Sequence, residues 1–204
     1  MEKLTRKEAK ERTRLRLIEA VLDHVRHHGL SGLTTGKVAD QAGIAQSSFY
    51  VHFADMDEAM RAAADKAGSE IRALVRESRA QMDLSNPDAA YRAAYEGAIQ
   101  ALSHEHEFSE LLLGHRRDKN SPLAEALRNV LEEARSDLAA DLRRSPLAKR
   151  FERDIDLHAE LMVGMTMTVL EGILDGRIPD REQALRVMAR MTRALIASAM
   201  APNS

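Results

Sequence analysis

The chain has 204 residues, a formal net charge of −2, 3% aromatic residues and no cysteine. Ala, Leu, Arg, Glu and Met dominate and β-branched residues are sparse, which favours helix over strand by intrinsic preference, so an all-α protein is expected. Without thiols there is no disulfide scaffold and no thiolate metal site. The longest apolar run, 161–170, is about half a membrane span and is bracketed by Glu160 and Glu171, so a soluble, cytoplasmic chain without a membrane segment is expected.

Charge is uneven along the chain. Residues 1–50 hold nine Lys and Arg against six Asp and Glu, and 51–204 hold 21 against 26. Within 1–16 the ratio is seven to three, a composition suited to a mobile basic arm near an anion or to a solvated face.

The first helical stripe is Leu17, Ile18, Val21, Leu22 and Val25, ending at Gly29, a residue type that accepts a left-handed backbone cheaply. Thr34 or Thr35 caps a second helix carrying Val38, Ala39 and Ala42, and Gly43 then turns the chain into a third, about 45–52. The run 55–58, Asp-Met-Asp-Glu, reads as a capping box opening a long fourth helix toward Met82. Asn86 and Pro87 open a fifth, 108–117 a short sixth, and Ser121 and Pro122 a seventh. The eighth spans roughly 154–175 before Gly176, and the ninth opens at Asp180 with Gln183 three residues on and runs to Met200.

In the third helix, a step of 100° per residue places Ala45, Phe49 and Phe53 on one side and turns Ser47, Tyr50 and Val51 away, with Gln46 at the leading end. Leu17, Val21, Val38, Ile44, Phe49 and Phe53 then form one cluster beneath an outward face of hydrogen-bonding groups. Such a face suits the major groove, which admits a helix and displays donors, acceptors and thymine methyl groups. A polar surface turn in an ordinary bundle is the plainer alternative.

The stretch 33–53, LTTGKVADQAGIAQSSFYVHF, resembles the DNA-binding segment of the tetracycline-repressor (TetR) family through Thr34, Thr35, Val38, Ala39, Ala42, Gly43, Ile44, Tyr50, His52 and Phe53. The resemblance implies a homodimeric transcription factor, usually a repressor, that binds a palindromic operator in double-stranded DNA and carries a C-terminal helical domain for a small effector. Residues 1–55 are then the DNA-binding domain and 56–204 the effector-binding and dimerisation domain. Ala45 stands where relatives often have a capping Ser, and Met56 where many have a phosphate-binding Lys. Anchoring is therefore expected from Lys37, Thr35, Tyr50 and the basic residues Lys3, Arg6, Lys7 and Lys10, and the DNA-facing set is completed by Gln46, Ser47, Ser48, Val51 and His52. The stretch 43–60, with the looser 111–128, is similar to the family's repressors of unsaturated fatty-acid synthesis, which points to a fatty acyl thioester.

In the C-terminal body the eighth helix is apolar all round and the ninth has Leu185, Met188, Met191, Thr192, Leu195 and Ile196 at three-four spacing. By the resemblance these two form the dimer interface, with Leu170, Leu174, Met188 and Leu195 in it. Gly164 and Gly172 leave a low-volume face that suits close helix approach or a ligand. Tyr91, Tyr95, Phe108, Leu112, Met162 and Met165 are the candidate lining of an adaptable apolar pocket, or plain core, with Arg116, Arg117 or Lys119 to meet an anionic group. His24, His27, His28, His104 and His106 invite a metal reading, yet no carboxylate is clearly placed to complete a site, and solvated or capping histidines are expected. No nucleophile elbow, phosphate loop or metalloprotease motif is present, so neither enzyme nor cofactor is expected. The competing class is a helical binding protein or enzyme without operator binding.

Overall fold

The computed structural model describes residues 5–83, 85–115, 122–144 and 154–198. Among these it is all-helical, with nine helices and no strand: α1 (Arg6–His28), α2 (Thr35–Gln41), α3 (Gln46–Phe49), α4 (Met56–Ala80), α5 (Pro87–His104), α6 (His106–His115), α7 (Pro122–Arg144), α8 (Ile155–Leu174) and α9 (Arg181–Ser198). They divide into two units, Met1–Ser69 with Glu105–Val130 and Glu70–His104 with Leu131–Ser204.

The first unit contains α1 to α3, the first half of α4, α6 and the start of α7. The α1 stripe is buried, with Leu17 fully covered and Val21 nearly so, and Val38, Ala39, Phe49 and Phe53 close over it. Truncating a buried Phe of this kind to Ala costs about 3–5 kcal/mol, because transfer and cavity terms add. Two expectations change here. The basic segment is no loose arm from Arg6 onward, since Thr5 and Glu8 form a reciprocal capping box that starts α1 there. Ala45 is exposed rather than inward-facing, because it lies in extended backbone ahead of α3 instead of inside the helix.

At the start of α4, the Asp55 carboxylate accepts from the Glu58 backbone at 2.8 Å, and the Glu58 carboxylate reaches back to the Ala54 backbone at 2.7 Å. The expected reciprocal cap is thus present with one arm a residue longer. Arg26 near the end of α1 forks onto Glu105, donating from Nε at 2.9 Å and from a terminal nitrogen at 3.2 Å. This planar, two-bond pairing holds the partner's position as well as its charge.

The second unit holds the rest of α4, α5, most of α7, α8 and α9. Arg72 and Arg79 on α4 pair with Asp137 at 3.3 Å and Asp141 at 2.8 Å on α7. Ala139, Ile155, Ala159, Met162 and Ile196 form a buried cluster with Tyr91, Leu138 and Leu142 against it. Gly172 is explained by close approach: a Cβ there would lie 2.6 Å from Ile178 in the turn before α9, whereas at Gly164 it would meet nothing within 4 Å. By length and composition α8 is apolar enough to cross a membrane, and 33% of its apolar window is buried.

Candidate nucleic-acid interface

The turn between α2 and α3 follows from its sequence. Gly43 adopts φ +67°, its N–H donates to Asp40 at 3.0 Å, and the Ile44 N–H donates to Ala39 at 3.0 Å. This is a Schellman pair, which satisfies the last carbonyls of α2 and reverses the chain in one step. A side chain with a Cβ is strained at such a φ, so glycine is the residue that lets α3 begin there. Thr34 caps α2 by accepting from the Lys37 backbone at 3.3 Å, which leaves the Thr35 hydroxyl in the first turn uncommitted to capping.

Short as it is, α3 is fixed from below. Phe49 and Phe53 are fully buried with ring centroids 5.7 Å apart, and the Arg14 guanidinium covers the Phe53 ring at 4.6 Å. The side chains between them point outward: Gln46, Ser47, Tyr50 and Val51 are exposed, Tyr50 at 56% and Val51 at 63%, and Ser48 and His52 are half-buried. Thr35 sits half-buried beside them and Lys37 is exposed. The eight sequence-derived DNA candidates thus share the helix-turn-helix and include the outward face of α3 and its following turn. Three are linked, since the Gln46 amide nitrogen donates to Thr35 Oγ1 at 3.0 Å and the Thr35 and Tyr50 hydroxyls are 3.5 Å apart.

The electrostatics favour an anion. Residues 6–12 of α1 are exposed all round and include Arg6, Lys7, Lys10 and Arg12. His52 is held below its ordinary value, first by burial and then by the charges of Lys10 and Arg14, and its Nδ1 is buried without a hydrogen-bond partner. Arg14 is the residue that sequence reading passed over. Its signal was a cation on the stretch of α1 leading into the buried stripe, but the pairing with Phe53 is tertiary. Lys3 lies outside the described residues.

The effector candidates divide between the two units. In the second unit, Tyr91 packs on the buried cluster that includes Met162, Met165 is half-buried, and Tyr95 is 8% exposed. The Tyr95 hydroxyl lies 2.5 Å from Thr192 Oγ1, and burial pushes its ionisation up to about 12. Phe108 and Leu112 belong to the first unit, where Phe108 lines an apolar cavity of about 20 Å3 with Val21, Val25, Met60, Leu111 and Leu127. Arg116, Arg117 and Lys119 lie outside the described residues.

The dimer candidates also sort by burial. Leu170 is fully buried and Met188 is 1% exposed, so both are spent on their own unit; Leu174 and Leu195 are half-buried. The exposed large apolar side chains of these helices are Leu157, Leu161, Val187 and Met191. An all-round apolar α8 gave no phase from which to tell the inner from the outer side.

The histidines have local roles. His24 is buried and donates from Nε2 to the Ser31 carbonyl at 2.9 Å, and His27 donates from Nδ1 to the Asp23 carbonyl at 2.7 Å. His106 is 3.4 Å from Glu110, one helical turn along α6, and with Glu107 their ligand atoms lie within 4.8 Å of one another on an exposed surface.

A short turn fixed by glycine, a buried aromatic base and an outward polar face define a helix-turn-helix, the motif whose second helix can enter a DNA groove. Residues 17–68 match the family of bacterial regulatory proteins, tetR family. The chain is 41% identical over 75 residues to an HTH-type transcriptional regulator of Haemophilus influenzae, a match covering 36% of this chain and 37% of that protein. The fold resembles a putative transcriptional regulator of Pseudomonas aeruginosa, with TM-score 0.72 and 18% identity over 93% of each chain. It also resembles the fatty acid degradation regulator FadR of Bacillus halodurans, with TM-score 0.64 and 16% identity over 89% of this chain and 96% of that one. Over residues 17–68, then, the N-terminal helix-turn-helix of this chain is similar to the bacterial regulatory proteins of the tetR family.

Proposed function

We propose that the whole chain is a homodimeric, ligand-responsive transcriptional repressor that binds a palindromic DNA operator and is released from it by a small hydrophobic effector. The observation that carries the reading is the division of α3 and its following turn into buried Phe49 and Phe53 and exposed Gln46, Ser47, Tyr50 and Val51. That division spends the apolar groups on the core and leaves donors, acceptors and a methyl-bearing side chain for base edges. Residues 1–55 make the DNA contacts, with Lys37 and the basic turns of α1 on phosphates, and 56–204 bind effector and dimerise. A DNA-binding regulator acts in the cytoplasm.

The apolar side chains left outside support dimerisation. Leu157 and Leu161 on α8, with Val187 and Met191 on α9, are exposed while the opposite sides of both helices are buried. A two-fold axis pairing each patch with its own copy buries them and sets two recognition helices one DNA turn apart. The same pairing accounts for an α8 of spanning hydropathy with a third of it covered.

The effector reading rests on apolar surroundings in each unit, the cluster that holds Met162 with Tyr91 against it and the cavity lined by Phe108. A cavity of about 20 Å3 has room for about one water, so occupation means that its walls separate. Likeness to the fatty-acid synthesis repressors makes long-chain acyl thioesters the first ligands to try, with Arg116, Arg117 or Lys119 for their phosphates. Effector binding then favours a dimer state whose recognition helices no longer match the groove, and linkage requires the ligand to bind free and DNA-bound dimer with different affinity. Retardation of genomic fragments by the wild-type chain, with and without acyl thioesters, tests this. Retardation reversed by thioester is the expected result; retardation indifferent to every thioester discards that ligand class, and no retardation discards the repressor.

A further inference from the structure

We infer that Thr35 is a positioning residue for base reading: it holds the Gln46 amide with its oxygen presented outward, so that the base selected opposite Gln46 is adenine. The inference rests on the DNA-binding reading above and adds to it which base is read and what fixes the reader.

The argument starts from what each group can do. An amide nitrogen only donates, so in the 3.0 Å contact between Gln46 Nε2 and Thr35 Oγ1 the hydroxyl accepts. The Thr35 and Tyr50 hydroxyls lie 3.5 Å apart, and either can donate to the other. The Gln46 amide nitrogen is thereby tied to Thr35, which lies beside Tyr50.

Its consequence falls on Gln46. A free glutamine amide turns over at little cost and offers its donor and acceptor in either order. With one N–H held by Thr35, the amide keeps Oε1 and its second N–H for a ligand. Adenine is the base that places an acceptor, N7, beside a donor, the N6 amino group; guanine places two acceptors there and would set its O6 against Oε1. Discrimination therefore requires that the amide not turn over.

Two features make Thr35 a firm support. It lies in the first turn of α2, whose cap is its neighbour Thr34, so its backbone is set independently of its own side chain. At Gly36 a Cβ would lie 3.8 Å from the Gln46 amide, so that amide runs close beside α2. Thr35 is half-buried and Gln46 exposed, the arrangement of a support beneath a reader.

The test is selection from a duplex DNA library with a randomised 20-base-pair core, followed by sequencing, using full-length wild type, Gln46→Ala, Thr35→Val and Thr35→Ser. Non-specific affinity for unrelated duplex DNA is measured alongside. The expected wild-type motif contains an adenine whose preference Gln46→Ala flattens, by on the order of 10- to 100-fold. Thr35→Val flattens the same position and no other, at unchanged non-specific affinity, and Thr35→Ser, which keeps the hydroxyl, retains the preference. Thr35→Val weakening all sequences alike, with the preference intact, would make Thr35 a phosphate contact and overturn the inference. So would Gln46→Ala flattening a position occupied by another base. Failure of wild type to enrich any motif would instead remove the DNA-binding reading, and the inference with it.

Discussion

The hydrogen bond between Tyr95 and Thr192 gives the second unit a measurable centre. Both residues are buried, at 8% and 2% exposure, and their hydroxyl oxygens are 2.5 Å apart. Thr192→Val keeps the shape and removes the partner, leaving a buried phenol unsatisfied at a cost of about 1–3 kcal/mol. Tyr95→Phe should cost about 0.5–1.5 kcal/mol, because the stranded threonine hydroxyl can turn to the carbonyl one helical turn before it. The double variant removes both polar groups and should be less destabilised than the sum of the single changes by on the order of 1 kcal/mol or more, since replacing both partners by apolar groups of like shape is nearly neutral. Urea denaturation of all four proteins reads the cycle, and Tm should follow at roughly 2–4 °C per kcal/mol for a chain of this size. Thr192→Val leaving stability unchanged, or strictly additive effects, would refute the reasoning and free the Tyr95 hydroxyl for an effector.

Lys37→Ala should weaken binding to every DNA sequence alike and lower the salt slope by about one unit, as read by anisotropy at several salt concentrations. Leu161→Glu and Met191→Glu should give folded monomers by sedimentation, since both side chains are exposed within one chain; dimers that persist would move the interface elsewhere. For His52, whose folded value is depressed below 6.5, the unfolded chain takes up its proton first as pH falls. Its contribution therefore lowers stability as pH falls through about 6.5 and levels off below the folded value, and His52→Gln should remove that part of the pH dependence in urea titrations.

What was legible in the sequence is what local rules decide. The end of α1 at Gly29, the Thr34 cap, the turn at Gly43 and the inward pair Phe49 and Phe53 follow from period, cap and backbone preference, and the structure has each of them. The helical start at Arg6 was equally local, because Thr5 and Glu8 have capping-box spacing, but the basic charge of 1–16 drew the reading toward a mobile arm. Elsewhere the arrangement is tertiary. Leu170 and Leu161 lie on the same apolar helix, and periodicity alone cannot tell which turns inward when hydrophobic residues surround the axis. Arg26 and Glu105 meet across 79 residues, and no spacing rule reaches that far.

The most direct test of the account is the ratio of specific to non-specific affinity, measured by retardation of DNA fragments flanking the gene against random duplex DNA at physiological salt. The account expects at least one fragment bound about a thousandfold or more tighter than random DNA, with a two-fold symmetric footprint whose half-sites are about one helical turn apart. Equal affinity for every fragment and for random DNA would contradict it.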